Sequence, residues 1–159
     1  MEMDEALFAE LLQEAQKSPR QRSHHNLHSS YDDPVQRLLI GFLKGTYIRP
    51  HYHTQPNKWE MMLVLRGSVG VVLFDRAGVV QKRHELSQHG YLSGVNIVPG
   101  TYHTIFPITD TAIVLEVKEG PYTPAKPEDF AAWAPAEGDA AVGRFLEWAE
   151  KAIVGGTYR

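Results

Sequence analysis

The sequence predicts a mainly β, single-domain protein with one helix near each end, and three observations lead to this prediction. Between residues 35 and 120, short apolar segments alternate with turn-forming residues, a pattern typical of antiparallel strands. Apolar residues near both ends instead recur at helical spacing. A length of 159 residues suits one domain, because a chain of this size can bury a substantial core. Together these observations favour a β-sandwich or β-barrel.

The N-terminal region divides into a helix and a polar arm. Residues 4–16 form one apolar helical stripe, made by Leu7, Phe8, Leu11, Leu12 and Ala15. Ser18 and Pro19 provide a stop, so residues 1–19 are the predicted N-terminal helix. Residues 20–34 are polar and aperiodic and end in an Asp-Asp-Pro turn. We interpret residues 20–34 as an ordered or partly ordered arm.

The predicted β-barrel occupies residues 35–120. Its candidate strands are residues 35–43, 47–53, 59–65, 69–74, 79–86, 95–98, 103–107 and 112–118. Glycine, proline or aspartate residues between these segments supply plausible turns.

Residues 121–159 are predicted to form a proline-rich wrap and a C-terminal helix. Prolines keep the wrap out of regular ladders, while Tyr122, Phe130 and Trp133 can anchor it to the barrel. Asp139 is the predicted cap of the helix, and Gly155-Gly156 can end it. The apolar face of this helix is predicted to contain Val142, Phe145, Leu146, Ala149 and Ile153.

Composition and charge exclude several classes of protein. A formal net charge of -3 provides no global basic field, so nucleic-acid binding is not expected. The chain has no cysteine, which leaves histidine, carboxylate or backbone oxygen to hold any metal. The acidic N-terminus does not resemble a secretory signal, and no apolar run approaches the length of a membrane span. We therefore expect a cytoplasmic protein without membrane association.

The arrangement of His51, His53, Glu60 and His103 predicts a metal site. In extended backbone, the spacing of His51 and His53 points both imidazoles the same way. Imidazole and carboxylate ligands suit a divalent first-row metal such as Fe, Mn, Ni, Cu or Zn. Four such ligands leave octahedral positions open for water, O₂ or substrate, as in a catalytic site. Glu60 can be a direct ligand, or it can orient an imidazole from outside the metal shell.

The residues around these ligands resemble the motifs of the cupin superfamily. Gly45, His51, His53, Glu60 and Gly67 follow the order of its first motif, with a longer loop than usual between His53 and Glu60. The second motif is present in part in residues 99–103, which keep a glycine, two residues and a histidine. A valine stands at position 98 where proline is usual, and a proline at 107 where asparagine is frequent.

Several longer stretches are similar to the WbuC family of cupin-fold metalloproteins. They lie at residues 25–28, 33–40, 45–51, 58–60, 65–67, 99–104 and 115–122. The resemblance extends from about Arg20 to Pro135. It implies a cupin fold, that is, a double-stranded β-helix or jelly-roll barrel, and a bound metal. It also implies an association with the synthesis of O-antigen or other surface polysaccharides, but no particular reaction.

Further polar residues are candidates for a substrate pocket. The family resemblance favours pocket roles for His25, Asn26 and His28, the two histidines as catalytic groups and the asparagine in substrate binding, whereas His24 fits a solvated arm. Arg37, Arg49 and Lys58 could bind an anionic substrate such as a sugar phosphate, although surface solvation explains at least one of them. Tyr102 could stack on a sugar, and barrel packing explains it equally well. Glu116 is a candidate proton acceptor if it faces the interior.

These residues lead to a functional hypothesis with open alternatives. We predict a metal-dependent isomerase or epimerase that acts on a carbohydrate or small polar metabolite through an enediol-like intermediate, with Glu116 or a pocket histidine as proton acceptor. The alternatives are an Fe(II)-dependent oxygenase, a non-catalytic metal- or sugar-binding module, and a metal-free epimerase of cupin type. We also expect a homodimer, because cupin barrels commonly pair through strand exchange or sheet edges.

Overall fold

The computed structural model describes residues 2–159, whose strands form two antiparallel sheets that face each other. The five-stranded sheet has the order β1-β2-β8-β3-β6, and the three-stranded sheet has the order β5-β4-β7. The elements are α1 (Glu5–Lys17), β1 (Arg22–Asn26), β2 (Val35–Leu43), β3 (Glu60–Arg66), β4 (Ser68–Phe74), β5 (Val80–Ser87), β6 (Gly94–Ile97), β7 (Tyr102–Pro107), β8 (Thr111–Glu119) and α2 (Val142–Glu150).

Helix α1 covers the outer face of the five-stranded sheet. It begins after Asp4, whose Oδ1 accepts a hydrogen bond from the backbone nitrogen of Leu7 at 3.0 Å. Its apolar stripe packs on the sheet in a cluster that contains Phe8, Leu11, Leu39 and Ile113. The helix is shifted by one residue from the predicted range 4–16. No helix of residues 2–159 is long and apolar enough to cross a membrane.

Residues 22–26, which the sequence predicted to lie in a polar arm, form strand β1 instead. This strand pairs antiparallel with β2, so that Arg22 lies opposite Phe42 and Asn26 opposite Leu38. Strand patterns are recognised by an apolar face, and β1 presents polar side chains on both faces. The five-stranded sheet therefore has an edge strand that the sequence pattern did not predict.

Residues 47–53, which were predicted to form a strand, are not part of a ladder. Within the described chain this segment forms β-bridges at one residue, His51, to His103 and to Phe130. The backbone nitrogen of His51 donates to the carbonyl of His103 at 3.1 Å, and His103 donates back at 2.9 Å. Pro50 has no N–H and cannot donate towards the wrap, so the pairing with the wrap does not extend through this residue. The segment is held between β7 and the C-terminal wrap.

The other seven predicted strands are present, each within one residue of its predicted limits. The C-terminal helix differs more. It begins after Ala141 rather than after Asp139, whose carboxylate accepts a hydrogen bond from the nitrogen of Ala141 in a preceding turn. It ends at Glu150, so Ile153 lies beyond the helix and is exposed instead of sharing its apolar face.

The space between the sheets changes from apolar to polar along the strands. On β8, the inward residues Ala112 and Val114 are followed by Glu116 and Lys118, and on β3 Met62 is followed towards the strand start by Glu60. Alternate residues of a strand share a face, so this order places the polar groups at one end of the barrel. That end contains a cavity of about 450 Å³.

The C-terminal wrap and α2 cover the outer face of the three-stranded sheet. The cluster between them includes Val72, Phe74, Phe106, Ala134, Phe145 and Ala149. On this face Gly70 lies beneath Phe106, and a Cβ at position 70 would lie 2.5 Å from the aromatic ring. The close contact requires a residue without a side chain at this position.

We expect Gly70→Ala to lower the free energy of unfolding by about 1–3 kcal/mol, because the fully buried ring of Phe106 must move to accept a methyl group. Gly143 in α2 is the matched control, since an added Cβ there meets nothing within 4 Å. Gly143→Ala should raise stability by up to about 1 kcal/mol through helix propensity. Urea denaturation measures both changes, and equal stability of Gly70→Ala and the wild type would contradict the close packing.

Candidate metal centre

Three imidazoles converge at the polar end of the barrel. One ring nitrogen from each of His51, His53 and His103 lies within 4.8 Å of the other two. The rings of His51 and His103 are closest, with centroids 4.5 Å apart, and His103 is 1% exposed. His103 is on β7, whereas the other two belong to the segment that the bridges at His51 hold against this strand. Nitrogen ligands at such separations can share one metal ion.

Backbone carbonyls orient two of the imidazoles. The Nδ1 of His51 lies 3.0 Å from the carbonyl oxygen of Arg49, and that of His103 lies 2.9 Å from the carbonyl oxygen of Thr101. A carbonyl oxygen only accepts, so each Nδ1 carries the hydrogen and each neutral ring keeps its lone pair on Nε2. Metal-binding histidines are commonly oriented in this way, with the second nitrogen bound to a backbone acceptor.

The carboxylate of Glu60 joins the imidazoles. Its Oε1 lies 2.9 Å from Nε2 of His53, and its Oε2 lies 3.0 Å from Nε2 of His103. Despite these short distances, three of these buried atoms have no hydrogen bond of suitable geometry to any of residues 2–159. They are Oε2 of Glu60 and Nε2 of His53 and His103. Buried polar atoms normally have a partner, and a cation is one that would satisfy a carboxylate and imidazole lone pairs together. The residues therefore fit a divalent first-row metal.

Electrostatics in the site favours a bound cation. Burial, followed by the neighbouring His103, lowers the pKa of His51 to about 3, so this imidazole is neutral and can act as a ligand. Burial alone would lower the pKa of His103, but the Glu60 carboxylate outweighs it and raises this pKa. Burial alone would likewise raise the pKa of Glu60, yet His103, His53 and Lys118 hold it well below its usual value. A carboxylate that attracts a proton to the site also attracts a metal ion.

Next to Glu60, Lys118 and Glu116 form an ion pair on the cavity wall. The Nζ of Lys118 lies 3.4 Å from Oε1 of Glu60 and 2.6 Å from Oε1 of Glu116. Sheet register produces this arrangement, because Lys118 on β8 is directly opposite Glu60 on β3 and Glu116 is two residues away on the same face. Burial would lower the pKa of Lys118, but Glu116 and Glu60 outweigh it and raise this pKa. Glu116 is 7% exposed and faces the interior.

Five of the other predicted pocket residues line the cavity, namely Asn26, His28, Arg49, Lys58 and Glu116. Two of them, Arg49 and Lys58, also donate hydrogen bonds to the C-terminal wrap. Arg49 donates from Nε and Nη2 to the carbonyl oxygen of Ala131 at 3.1 and 2.8 Å, and its guanidinium lies 5.8 Å from the ring centre of Phe130. Lys58 donates to the carbonyl oxygen of Pro121 at 2.8 Å.

His25, Arg37 and Tyr102 are not among the described residues that line the cavity. His25 and Arg37 occupy alternate positions to Asn26 and Leu38, whose side chains face the cavity, so both point to the other side of the five-stranded sheet. Tyr102 lies on the outer face of β7, where it packs on Tyr52 with ring centroids 4.5 Å apart. The structure does not bring these three candidates to the metal ligands.

The cavity also contains residues that sequence reasoning did not assign to it, among them Arg20, Arg22, His24, Gln36, Lys118 and Glu137. Alternation would have revealed some of them. Once residues 22–26 are read as a strand, His24 shares a face with Asn26, and Lys118 shares one with Glu116. Glu137 carries no such local signal, because it reaches the cavity from the C-terminal wrap.

Comparison with solved structures identifies the fold. KdgF from Halomonas sp. has a TM-score of 0.50 and 16% identity, over 67% of this chain and 84% of that one. Oxalate oxidase in complex with glycolate has a TM-score of 0.54 and 17% identity, over 75% of this chain and 62% of that one. SPY1581 of Streptococcus pyogenes, a protein of unknown function, has a TM-score of 0.50 and 15% identity, over 67% of this chain and 80% of that one. The predicted cupin double-stranded β-helix is confirmed, and identities this low establish the fold alone.

Residues 3–86, just over half of the chain, match the family described as "Domain of unknown function (DUF6016)". The chain belongs to this family. A search among curated proteins gives no match. The comparisons therefore support the cupin fold that the sequence predicts, but they do not show membership of the WbuC family.

Proposed function

We propose that this protein is a metal-dependent cupin isomerase or epimerase that acts on a small polar metabolite related to sugars. The single observation that supports it best is the position of the Glu116–Lys118 pair, which lies beside Glu60 and the three imidazoles in one cavity. A divalent ion bound by the histidines and Glu60, with Fe, Mn, Ni, Cu and Zn as candidates, would supply Lewis acidity that polarises a carbonyl or hydroxyl group.

The proposed reaction needs a group that takes a proton from a carbon atom and returns it to carbon, and we assign this role to Glu116. Its carboxylate would take a proton from the carbon next to a carbonyl group. In an isomerisation it would return this proton to the former carbonyl carbon, while the carbonyl oxygen gains a proton and the neighbouring hydroxyl group loses one. In an epimerisation a second acid, such as a pocket histidine, would deliver a proton to the opposite face of the same carbon. The substrate is neither oxidised nor reduced overall. Lys118 holds Glu116 at 2.6 Å and compensates its negative charge, which keeps the carboxylate in a fixed position.

Other cavity residues can orient the substrate. The Nε2 of His28 is buried at the cavity wall and has no hydrogen-bond partner in the described chain, so it can bind a substrate hydroxyl group. Its Nδ1 is fixed by the backbone of Arg37, at 3.1 Å from the nitrogen and 2.8 Å from the oxygen. Asn26 lies on the same wall and can bind a second hydroxyl. A cavity of about 450 Å³ is large enough for a metabolite of sugar size.

The finer assignments are part of the proposal. Similarity to the WbuC family supports a sugar-related substrate and a link to O-antigen or other surface-polysaccharide synthesis. The cytoplasmic location expected from the sequence is proposed with them. Strands β1 and β6 form the edges of the five-stranded sheet, which supports the expected homodimer because exposed edges can pair between chains. Light scattering measures the molar mass of the protein in solution, and the mass of a single chain would contradict the homodimer.

Hydrogen exchange tests the proposed reaction. Metal-loaded protein in D₂O is incubated with a panel of aldoses, ketoses and their phosphates, and NMR follows the loss of carbon-bound hydrogen. We expect exchange with at least one compound, and a decrease of about 100-fold or more in Glu116→Gln with metal content unchanged, because general acid–base groups contribute on this scale. Glu85→Gln on the exposed face of β5 is the matched control and should exchange at the wild-type rate.

The same panel separates the alternatives. Exchange at the wild-type rate in Glu116→Gln would contradict the role of this residue. Consumption of O₂ with a strict requirement for Fe(II) would replace the isomerase by an oxygenase. Binding of a sugar without exchange or O₂ consumption for any metal would leave a non-catalytic binding module.

A further inference from the structure

Two arginines at the cavity wall hold one carboxylate from the C-terminal wrap. The Nη2 of Arg20 lies 2.6 Å from Oε1 of Glu137, and the Nη2 of Arg22 lies 2.7 Å from the same oxygen. All three residues line the cavity that contains the metal ligands. The arginines and Glu137 are more than a hundred residues apart in the sequence, so only the folded chain forms this cluster.

The two sides of the cluster differ in how firmly they are held. Arg22 is 7% exposed, and its Nη1 donates to the carbonyl oxygen of Tyr47 at 2.9 Å, so its guanidinium keeps its position without Glu137. The side chain of Glu137 is 38% exposed. Burial would raise the pKa of Glu137, but hydrogen bonds from Arg20 and Arg22 outweigh it and lower this pKa, so the group is a carboxylate at neutral pH. A fixed cation therefore faces an anion that can move.

A neutral imidazole and open space lie next to the cluster. His24, on the same face of β1, is open to the cavity yet surrounded by protein. This partial desolvation, followed by the charges of Arg22, Lys118 and Arg20, lowers the pKa of His24 to about 4, and the neutral ring can still bind a ligand.

On its other side, the cluster of Arg20, Arg22 and Glu137 lines a second pocket of about 290 Å³. This pocket gives the Glu137 side chain space into which it can turn.

We propose that Arg20 and Arg22 form an anion subsite of the substrate cavity, which Glu137 occupies in the absence of substrate. A carboxylate or phosphate group of the substrate displaces Glu137 and binds the two guanidinium groups, which are suited to both anions. The subsite selects a small metabolite with an anionic group at one end and a metal-binding carbonyl or hydroxyl group at the other. This inference rests on the proposed function in one respect, namely that the cavity receives a substrate.

Titration of metal-free protein with simple anions tests the subsite. Inorganic phosphate and acetate are added separately at constant ionic strength, and NMR of the arginine side chains gives the dissociation constants. We expect Glu137→Gln to bind at least one anion about tenfold more tightly than the wild type, because the competing carboxylate is gone. Glu5→Gln is the matched control, since it removes one exposed carboxylate from Arg66 and should leave anion binding unchanged.

A second variant checks that the arginines are responsible. Arg20→Gln combined with Glu137→Gln should lose most of the gained affinity, and Arg20 is exposed enough that the fold should persist, as circular dichroism can verify. The proposal is overturned if neither anion binds Glu137→Gln more tightly than it binds the wild type and Glu5→Gln. The assay needs neither metal nor turnover, so anion binding without sugar exchange would support the subsite and refute the isomerase.

Discussion

Replacement of His103 by alanine is expected to abolish stoichiometric metal binding, and His51→Ala is expected to have the same result. Each substitution removes one of three converging nitrogens and leaves too few strong ligands, so the affinity should fall by more than about 100-fold. Elemental analysis of freshly purified protein measures the metal content per chain. His89→Ala, at an exposed turn outside the cluster, is the matched control and should retain the wild-type content.

The metal content of the two histidine variants shows whether His51 and His103 are ligands. Circular dichroism first establishes that both variants are folded, because His103 is buried and its loss also creates a cavity. If folded His51→Ala and His103→Ala both keep the wild-type metal content, the metal is bound elsewhere. Glu60→Gln then distinguishes the two roles that remain open for Glu60. Loss of metal comparable to that in His103→Ala indicates a direct ligand, whereas a decrease of about 10–100-fold in affinity indicates a residue that orients an imidazole.

Lys118→Met is expected to lower the free energy of unfolding of the metal-free protein by about 3–5 kcal/mol, because it leaves two buried carboxylates without their shared cation. Glu60 and Glu116 are 2% and 7% exposed, so water cannot replace the ammonium group effectively. Urea denaturation in the presence of a chelator measures the loss. Lys17→Met is the matched control, because this lysine pairs with Glu14 on the exposed surface and should contribute less than about 1 kcal/mol.

The pH dependence of this loss follows from the direction of the pKa shift. The carboxylates raise the pKa of Lys118, so its contribution is complete below the ordinary lysine pKa and disappears only as pH rises through the higher folded value. The deficit of Lys118→Met should therefore stay constant from neutral pH to about pH 9. Glu116→Gln in the Lys118→Met background should restore part of the stability, and a single-variant loss below about 1 kcal/mol would contradict the buried network.

The sequence predicted the parts of the fold that have a local apolar pattern. Seven strands and helix α1 agree with prediction because each buries a regular stripe or face, whose spacing is visible in a short window. Strand β1 was missed for the same reason, since its inward residues Arg22, His24 and Asn26 face a polar cavity. The segment 47–53 was predicted as a strand because its composition suits one, but within the described chain it pairs through bridges at His51. Pro50 has no N–H with which to extend the pairing towards the wrap.

The sequence by itself determined the class of fold and the four residues that meet around the candidate metal site, because strand alternation and motif order are properties of neighbouring residues. The tertiary structure decided the rest of the cavity. Sheet register placed Lys118 beside both Glu60 and Glu116. Side-chain alternation along β1 directed His24, and not the predicted His25, into the cavity. The C-terminal wrap brought Glu137 to Arg20 and Arg22. Contacts of this kind depend on how distant segments align when loops close, and no local spacing in the sequence records that alignment.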